Sequence, residues 1–484
     1  MLPLSLLSTS LQPLSFLPHS SRPLFVPAPT SDPRCSVISA SAPRHAPNQP
    51  CIANNHQATC EDQLAFDQLA EWVVLEGGFV GKVSVKTVNG LRGLYVREDV
   101  KAGEPLLAVP SQCMLFACDG DATCKEEQHL KLHERLMFRL LTAAATGDKA
   151  LYRATMPRSV PLLRDWSDTD LLELQSDELC AAVWSQREHL RRTCERVMCA
   201  WAQRHPTLSP PTTEQLHWAE SIVRSRSLAS AEGMDRAMML VPLFDLCNHK
   251  AQSPRGVGSE HQPPVLLTSD GVVVLCSRND LKLGEEVHIE YCDEGNWGLL
   301  RDYGFTMPVG RTGQDASLEE LHIGGAAQLV IGSPELDRVA VRRAQEELCS
   351  MLFTERVDSA AGALRREAET IAAVRDACAA ALLQKPTSEA QDAIELDALA
   401  TTCGDTTTQR KLDALRIRMG HKKKLRRAVQ ELEAAHTNCV TLMREASTST
   451  LTSRTTPDYS TYELAHFGRH ALEALERSRA EYAP

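Results

Sequence analysis

Three short stretches in the middle of the chain carry side chains that could do chemistry. Asn248-His249 follows an apolar run that predicts a buried strand, and Tyr291 ends an alternating run that predicts a second strand. Tyr303 stands in a predicted short turn that closes with Gly304-Phe305. Amide and phenol groups donate and accept hydrogen bonds, so these side chains could orient a bound polar molecule without supplying a strong base. Taken singly, a tyrosine at a strand end is usually a packing residue, and an Asn-His pair is usually a turn.

Glycine turns punctuate the segment that must bring these residues together from the N-terminal side. Short strands are predicted at 83–88, 89–96 and 99–110, after a helix at 62–76 that Gly77-Gly78 ends. Asn89-Gly90 alone is a hairpin signal. A glycine also allows the main chain to close on a ligand, because it has no Cβ.

A helical stretch separates the glycine turns from the central residues. Residues 126–226 have helical periodicity, with helices predicted at 129–145, 168–187 and 189–203. A last helix ends near Arg226, whose side chain could equally well be solvated or contact a ligand. Strands at 265–268 and 272–275 then lead back towards Tyr291.

The joint occurrence of these features, in this order, resembles the SET-domain methyltransferases, specifically the group similar to the Rubisco large-subunit lysine methyltransferase. The features are the glycine loop, Arg226, Asp-x-x-Asn-His, Gly-Glu-Glu-Val…Tyr and Leu-Leu…Tyr-Gly-Phe. The resemblance covers roughly residues 65–308. It implies an α+β fold, in which a SET-domain β-fold of small sheets with a knotted C-terminal segment is interrupted by a helical insertion at about 125–230.

The resemblance also implies S-adenosylmethionine as cofactor and a narrow channel for the substrate side chain. In that case the catalytic residues are Tyr291, whose hydroxyl would orient the target nitrogen, and Tyr303, whose ring would face the methylsulfonium. Cofactor contacts are expected from Gly90, Leu91, Arg92, Gly93, Arg226, Asn248, His249 and Tyr291. The channel is expected to be lined by Leu228, Asp245, Ile289, Tyr303 and Phe305. The family commonly has an aromatic residue where this chain has Leu228, a departure expected to widen or reshape the channel.

Beyond Pro308 the sequence predicts a second, all-helical domain at 309–484. Helical runs are predicted at 336–353, 361–383, 407–444 and 462–482. The resemblance implies that this domain binds the protein substrate. Its basic cluster, His421-Lys-Lys-Lys-Leu-Arg-Arg, is more often a solvated helix face than a recognition site.

Residues 1–60 have the composition of an organelle transit peptide. They are rich in Ser and Pro and contain three arginines against one acid, Asp32, a charge of +2. The alternative is a disordered tail without an address. The Ser and Pro content favours the chloroplast stroma over the mitochondrion.

Overall composition limits the partners. The 484-residue chain has a net charge of −11, which argues against nucleic acid as the main partner, and it lacks an apolar run that could span a membrane. Its 16 cysteines include no Cys-x-x-Cys, so no metal site is expected. Histone-directed SET enzymes often carry a cysteine cluster after Tyr-Gly-Phe, whereas here no cysteine follows Phe305 until Cys349. We expect a monomer.

The function expected from the resemblance is protein-lysine N-methylation in the chloroplast stroma, with the Rubisco large subunit or a plastid aldolase as substrate. Protein-histidine methylation is an alternative, which an organelle leader disfavours because the known histidine substrate is cytosolic. The other alternative is a non-catalytic protein that keeps the fold and binds a partner. The presence of Asn248, Tyr291 and Tyr303 together speaks against the latter.

Overall fold

The computed structural model describes residues 12–16, 58–88, 91–119, 125–230, 237–250, 265–268, 271–292, 295–308, 319–323, 327–331, 360–400 and 405–448. The predictions for Gly90 and for helices at 336–353 and 462–482 lie outside these residues, as does most of the leader. The division into three domains stays a prediction.

Fourteen short strands occur within the described residues. They are β1 (Gln12–Phe16), β2 (Phe79–Val80), β3 (Val83–Val88), β4 (Leu91–Val96), β5 (Pro105–Val109), β6 (Leu115–Cys118), β7 (Leu228–Ser230), β8 (Ala237–Leu240), β9 (Asn248–His249), β10 (Val265–Leu267), β11 (Val273–Cys276), β12 (His288–Ile289), β13 (Glu319–Ile323) and β14 (Ala327–Ile331). The strands predicted at 83–88, 89–96, 99–110, 265–268 and 272–275 correspond to β3, β4, β5, β10 and β11.

Eight of these strands form one sheet in the order β2-β5-β11-β10-β1-β7-β8-β6. Strand β1 lies in the expected disordered leader, yet it pairs antiparallel with both β10 and β7. This pairing satisfies backbone groups on two strand edges that would otherwise lack sheet partners. Three two-stranded pairs complete the β structure: β3 with β4, β9 with β12, and β13 with β14.

Ten α-helices are described. They are α1 (Ala58–Leu75), α2 (Leu132–Thr146), α3 (Ala150–Thr155), α4 (Asp168–Leu172), α5 (Asp177–Arg204), α6 (Thr213–Arg226), α7 (Gly295–Tyr303), α8 (Ala360–Leu383), α9 (Glu389–Ala400) and α10 (Thr406–Thr448). Within these ranges, no helix combines the length and apolar character that crossing a membrane requires.

The insertion contains one long helix where the sequence suggested two. The helices predicted at 168–187 and 189–203 are instead the short α4 and the continuous α5. The break falls earlier, at Gln175, which has a left-handed φ of 52°. Ser176 then caps α5 by accepting a hydrogen bond from the Leu179 N–H.

Two predicted elements around the central residues are wrong. The apolar run 241–246 is a turn followed by a single-turn 3-10 helix, Phe244–Leu246, because Pro242 cannot donate to a strand ladder. Tyr303 is the last residue of α7 and not part of an isolated turn. Only His288–Ile289 of the predicted strand before Tyr291 pairs as a strand.

The main core lies between the eight-stranded sheet and the first helices, and it includes Leu94, Trp201, Leu240 and Phe244. A second cluster joins the insertion to α7 and α10 through residues such as Trp166, Leu300 and Ile417. A third packs α8 against α10. Burial of these apolar side chains holds the layers together.

The C-terminal region departs from the all-helical prediction at its start. It opens with the β13–β14 hairpin, and its helical part begins at Ala360 among the described residues. Helices α8 and α10 agree closely with the predicted runs at 361–383 and 407–444. Long Ala- and Leu-rich helices have a clear periodicity in the sequence, whereas a hairpin of two five-residue strands leaves a weak signal.

The basic cluster at 421–427 is only partly a solvated face, since His421, Lys422 and Lys424 are buried whereas Arg426 and Arg427 are about half exposed. The Lys422 ammonium pairs with Asp392 of α9 and donates to Thr387 at 2.8 Å. It also lies 3.3 Å from Gln175 Oε1 in the insertion. Arg418, one turn earlier, bridges Glu173 of the insertion and Glu395 of α9. The cluster therefore fastens the C-terminal helices to the insertion.

Gly304 ends α7 in a conformation that only glycine adopts easily. Its φ is +80°, and a Cβ at this position would overlap the Pro161 carbonyl oxygen. The close approach of the two backbones fixes where the chain leaves α7.

Replacing Lys422 by alanine should destabilise the fold by about 3 kcal/mol, because Asp392 would keep its buried charge with one cation fewer. The measurement is thermal unfolding of the full chain. Arg427→Ala is the control, since that arginine is about half exposed and the ion pair described for it, with Glu431, lies within its own helix. Equal effects of the two substitutions would contradict this account.

Gly304→Ala should cost about 2 kcal/mol more stability than Gly284→Ala, as measured by thermal unfolding. Both glycines have a left-handed φ, but a Cβ on Gly284 meets no atom within 4 Å. The control therefore isolates backbone strain, and the excess reports overlap with Pro161. Similar losses for both variants would show that the Pro161 contact relaxes without cost.

Candidate active site

Strands β9 and β12 bring the two predicted central stretches side by side. They pair in parallel, with Asn248 opposite His288 and His249 opposite Ile289. The Asn248 amide donates to the Arg92 carbonyl at 3.0 Å and to Glu286 Oε1 at 2.7 Å. The glycine-loop strand, the Asn-His pair and the strand before Tyr291 thus meet at one amide group.

Gly93 makes this meeting sterically possible. A Cβ at Gly93 would overlap the Glu286 carboxylate and lie 2.8 Å from Asn248 Nδ2. The glycine is therefore needed for the approach of protein side chains, in addition to any approach of a ligand. Leu91 and Arg92 precede it on β4, and the Arg92 guanidinium donates to the Thr155 carbonyl at 2.6 Å.

Glu286 is a site residue that the sequence reasoning did not single out. Burial opposes its ionisation, but hydrogen bonds from His288, Asn248 and Tyr95 hold the pKa of its carboxyl below the ordinary value. It is therefore an anion beside Gly93 and Asn248. The sequence signal that could have identified Glu286 is its position two residues before β12, on the alternating run that ends at Tyr291.

Tyr291, Tyr303, Phe305 and His249 form an aromatic cluster, which we call the aromatic pocket. The two tyrosine rings stack with centroids 4.6 Å apart, and the Tyr303 hydroxyl donates to the Tyr291 carbonyl at 3.1 Å. Tyr291 donates through its own hydroxyl to the Cys247 carbonyl at 2.7 Å. The Phe305 ring lies 6.2 Å from His249 and 6.3 Å from Tyr291, centroid to centroid.

The protonation states in the aromatic pocket follow from burial. Burial lowers the pKa of His249 to about 4, so its ring is neutral near pH 7. The Tyr291 backbone N–H donates to His249 Nδ1 at 3.1 Å, which leaves the ring proton on Nε2. Burial also raises the pKa of Tyr291 and of Tyr303 above the usual value. Both phenols therefore stay protonated and act as hydrogen-bonding groups, not bases.

Arg226 faces the site and not solvent. Its Nη1 donates to the Asp245 carbonyl at 2.5 Å and lies 3.5 Å from the Asp245 carboxylate. Burial raises the pKa of Asp245. Among the described residues, Arg226 Nε and Asp245 Oδ1 are buried and lack hydrogen-bond partners. They leave one donor and one acceptor that a polar ligand could satisfy.

The remaining channel residues lie in the core around the site. Leu228 of β7 and Ile289 of β12 are almost fully buried in the main core. Leu243, which precedes the 3-10 turn to Asp245, has a left-handed φ of 72°. Such strain persists only where the surrounding packing enforces it. The assignment of Leu228, Asp245 and Ile289 to a channel stays a prediction.

A buried ion network holds the helix that carries Tyr303. Arg224 of α6 donates to Glu220 at 2.9 Å and to Asp302 of α7 at 3.1 Å. Arg301 and Asp302 pair at 2.5 Å, and Arg164 pairs with Glu220. The sequence reasoning missed this network, although Glu220 and Arg224 have the i, i+4 spacing of a helix ion pair. Within the described residues, no cluster of His, Cys, Asp and Glu could hold a metal ion.

Comparison with known proteins gives the same fold. No family model matches the chain. It is 28% identical over 256 residues to the chloroplastic ribulose-1,5-bisphosphate carboxylase/oxygenase large subunit N-methyltransferase of Nicotiana tabacum, which covers 49% of this chain and 50% of that protein. It is 24% identical over 286 residues to the N-lysine methyltransferase setd6 of Salmo salar, covering 54% and 60%. The chain thus spans about half the length of the plant relative.

Solved structures match more of the chain. The SET domain of LSMT bound to lysine and AdoHcy has a TM-score of 0.60 at 21% identity, covering 81% of this chain and 96% of that one. Rubisco LSMT bound to AdoMet has a TM-score of 0.58, also at 21% identity, covering 80% and 97%. The fold of this chain is therefore that of the SET-domain methyltransferases of the Rubisco large-subunit methyltransferase-like group, to which it is related in sequence.

Proposed function

We propose that this chain is an S-adenosylmethionine-dependent protein-lysine N-methyltransferase. The observation that carries the proposal is the aromatic pocket, in which two stacked and protonated tyrosines stand directly beside the Asn248–His249 strand. The likeness to the plant and fish N-methyltransferases supports it. The finer proposal is a plastid protein as substrate, with the Rubisco large subunit and aldolase as the first candidates.

Methyl transfer to an amine requires alignment and an uncharged nitrogen. A lysine has an ordinary pKa of about 10.4, so deprotonating it near pH 8 costs roughly 3 kcal/mol. A dry pocket lined by aromatic rings lowers that cost, because it disfavours the ammonium form. Tyr291 then orients the nitrogen through its hydroxyl, and Tyr303, stacked on the Tyr291 ring, extends the same wall of the pocket. Neither phenol takes the proton of the lysine ammonium, which is released to solvent.

Several residues fit the cofactor. S-adenosylmethionine supplies a methyl group on a sulfonium and carries an ammonium and a carboxylate. Arg226 Nε and Asp245 Oδ1 offer the donor and acceptor that the protein leaves unused. Asn248 and His249 fix the wall beside Gly93, and the anionic Glu286 favours a cation there. Leu91, Arg92 and Tyr291 complete the proposed contacts.

The remaining proposals concern the partners and the compartment. The helices from Ala360 onward bind the protein substrate, the chain works as a monomer, and the leader directs it to the chloroplast stroma. The chloroplastic N-methyltransferases of Nicotiana tabacum and Pisum sativum, to which the chain is similar, support the compartment.

Tyr291→Phe should lower methyl transfer on the order of 10²-fold, because the nitrogen loses the hydroxyl that orients it. The full chain is incubated with methyl-labelled S-adenosylmethionine and a chloroplast stromal extract, and with purified Rubisco and aldolase. Labelled bands are counted, and mass spectrometry of the labelled protein identifies the modified residue.

Ser277→Ala is the control, since it removes a buried hydroxyl that donates to the Asn279 carbonyl beyond the end of β11. It should transfer methyl groups like the wild type. A labelled histidine would replace lysine as the target. Binding of the cofactor without any labelled protein would favour a non-catalytic partner-binding role and overturn the proposal.

A further inference from the structure

The segment that follows Tyr303 is held by the C-terminal helix α10. The Thr306 hydroxyl donates to Asp413 of α10, which also accepts a hydrogen bond from the Thr306 backbone N–H. Arg416, one turn further along α10, donates to the Thr306 hydroxyl oxygen at 3.2 Å and to the Thr306 carbonyl at 3.3 Å. Asp413 and Thr306 are both buried. The hydroxyl, the backbone N–H and the carbonyl of Thr306 are therefore all hydrogen-bonded to α10, a helix distant in sequence.

The neighbouring residue is clamped from the other side. The Asn296 side chain at the start of α7 donates to the Met307 carbonyl at 2.9 Å and accepts from the Met307 N–H at 2.7 Å. Gly304, on the other flank of Phe305, is fixed by its contact with Pro161. Phe305 thus belongs to a chain segment whose backbone is held on both sides of it.

Charge makes the α10 contact strong at the pH of a methyl-transfer assay. Burial raises the pKa of Asp413 to about 6, so the carboxyl is an anion at pH 8. Its charged neighbour is Arg416, 3.6 Å away, and Gln409 Nε2 donates to its other oxygen at 3.1 Å. A buried anion that accepts from a hydroxyl and an amide forms charge-assisted hydrogen bonds, which are stronger and shorter than neutral ones.

We infer that Asp413 and Arg416 are positioning residues for the aromatic pocket, acting through Thr306 to set where Phe305 stands against His249 and Tyr291. The inference rests on the proposed methyl transfer for its effect on turnover. It assigns α10 a second role, in which part of the helix positions the wall of the site in addition to the surface proposed to meet the protein substrate.

The test compares Asp413→Asn and Thr306→Val with Arg410→Gln. Arg410 lies on the same helix and pairs with Asp170 of the insertion at 2.7 Å, but the contacts described for it do not include the Phe305 segment. The first readout is hydrogen exchange of the peptide covering residues 304–308 in the full chain. We expect at least about a tenfold faster exchange in the first two variants and no change in the control, with the exchange of α8 unchanged throughout.

The second readout is kinetic. With S-adenosylmethionine and the labelled stromal substrate at pH 8, kcat should fall at least about tenfold in Asp413→Asn and Thr306→Val, because a small displacement of a pocket wall spoils alignment. The KM for S-adenosylmethionine should stay unchanged. A purely structural role would instead accelerate exchange across α8 and α10 together and leave kcat per folded molecule intact.

The outcomes separate the two proposals. If the wild type transfers no methyl group to any stromal protein, the proposed function fails, and the exchange of residues 304–308 alone decides the positioning inference. If the wild type is active while both variants keep its kcat and its exchange rates, the positioning inference is overturned. Thr306→Val keeps the test decisive should Asp413→Asn fail to fold, since Asp413 retains its hydrogen bonds from the backbone N–H of position 306 and from Gln409.

Discussion

The arrangement of the site depends on one side-chain amide. Asn248 hydrogen-bonds a backbone carbonyl of β4 and the Glu286 carboxylate at once, so it joins three stretches that are far apart in the chain. The pairing of β9 with β12 is only two residues long and supplies few backbone hydrogen bonds of its own. A parallel pair of this kind also needs a long connection. The amide therefore supplies much of the specificity that fixes which strands meet, and Gly93 leaves it the room.

Charge networks set the surroundings of this junction. On one side, Glu220 and Arg224 of α6 hold Asp302, the residue before Tyr303. On the other side, Asp413 and Arg416 of α10 hold Thr306, the residue after Phe305. Buried ion pairs contribute little net stability, because desolvation offsets their attraction, but a broken pair is costly. They consequently favour one placement of α7 and its C-terminal end over alternatives that would leave a buried charge without its partner.

Local periodicity predicted the elements whose structure is set by short-range sequence patterns. The strands β3 and β4 and the helices α1, α8 and α10 appear close to their predicted bounds, because alternation and helical spacing are local properties. The predictions failed where distant contacts decide. Residues 241–246 look like a strand but turn at Pro242, and His421, Lys422 and Lys424 look solvated but are buried, with Lys422 paired to Asp392 of α9. No local pattern shows that a lysine will meet an aspartate thirty residues away.

The sequence by itself determined the residue types of the site and their order, and these sufficed to indicate the fold and the expected chemistry. It placed Asn248, Tyr291, Tyr303 and Phe305 in the short stretches that matter. Only the tertiary structure decided that both phenols are buried and protonated, that Glu286 is an anion beside Gly93, and that α10 reaches Thr306. The reason is physical: residue type fixes which interactions a side chain can make, whereas burial and the approach of distant segments fix which of them it does make.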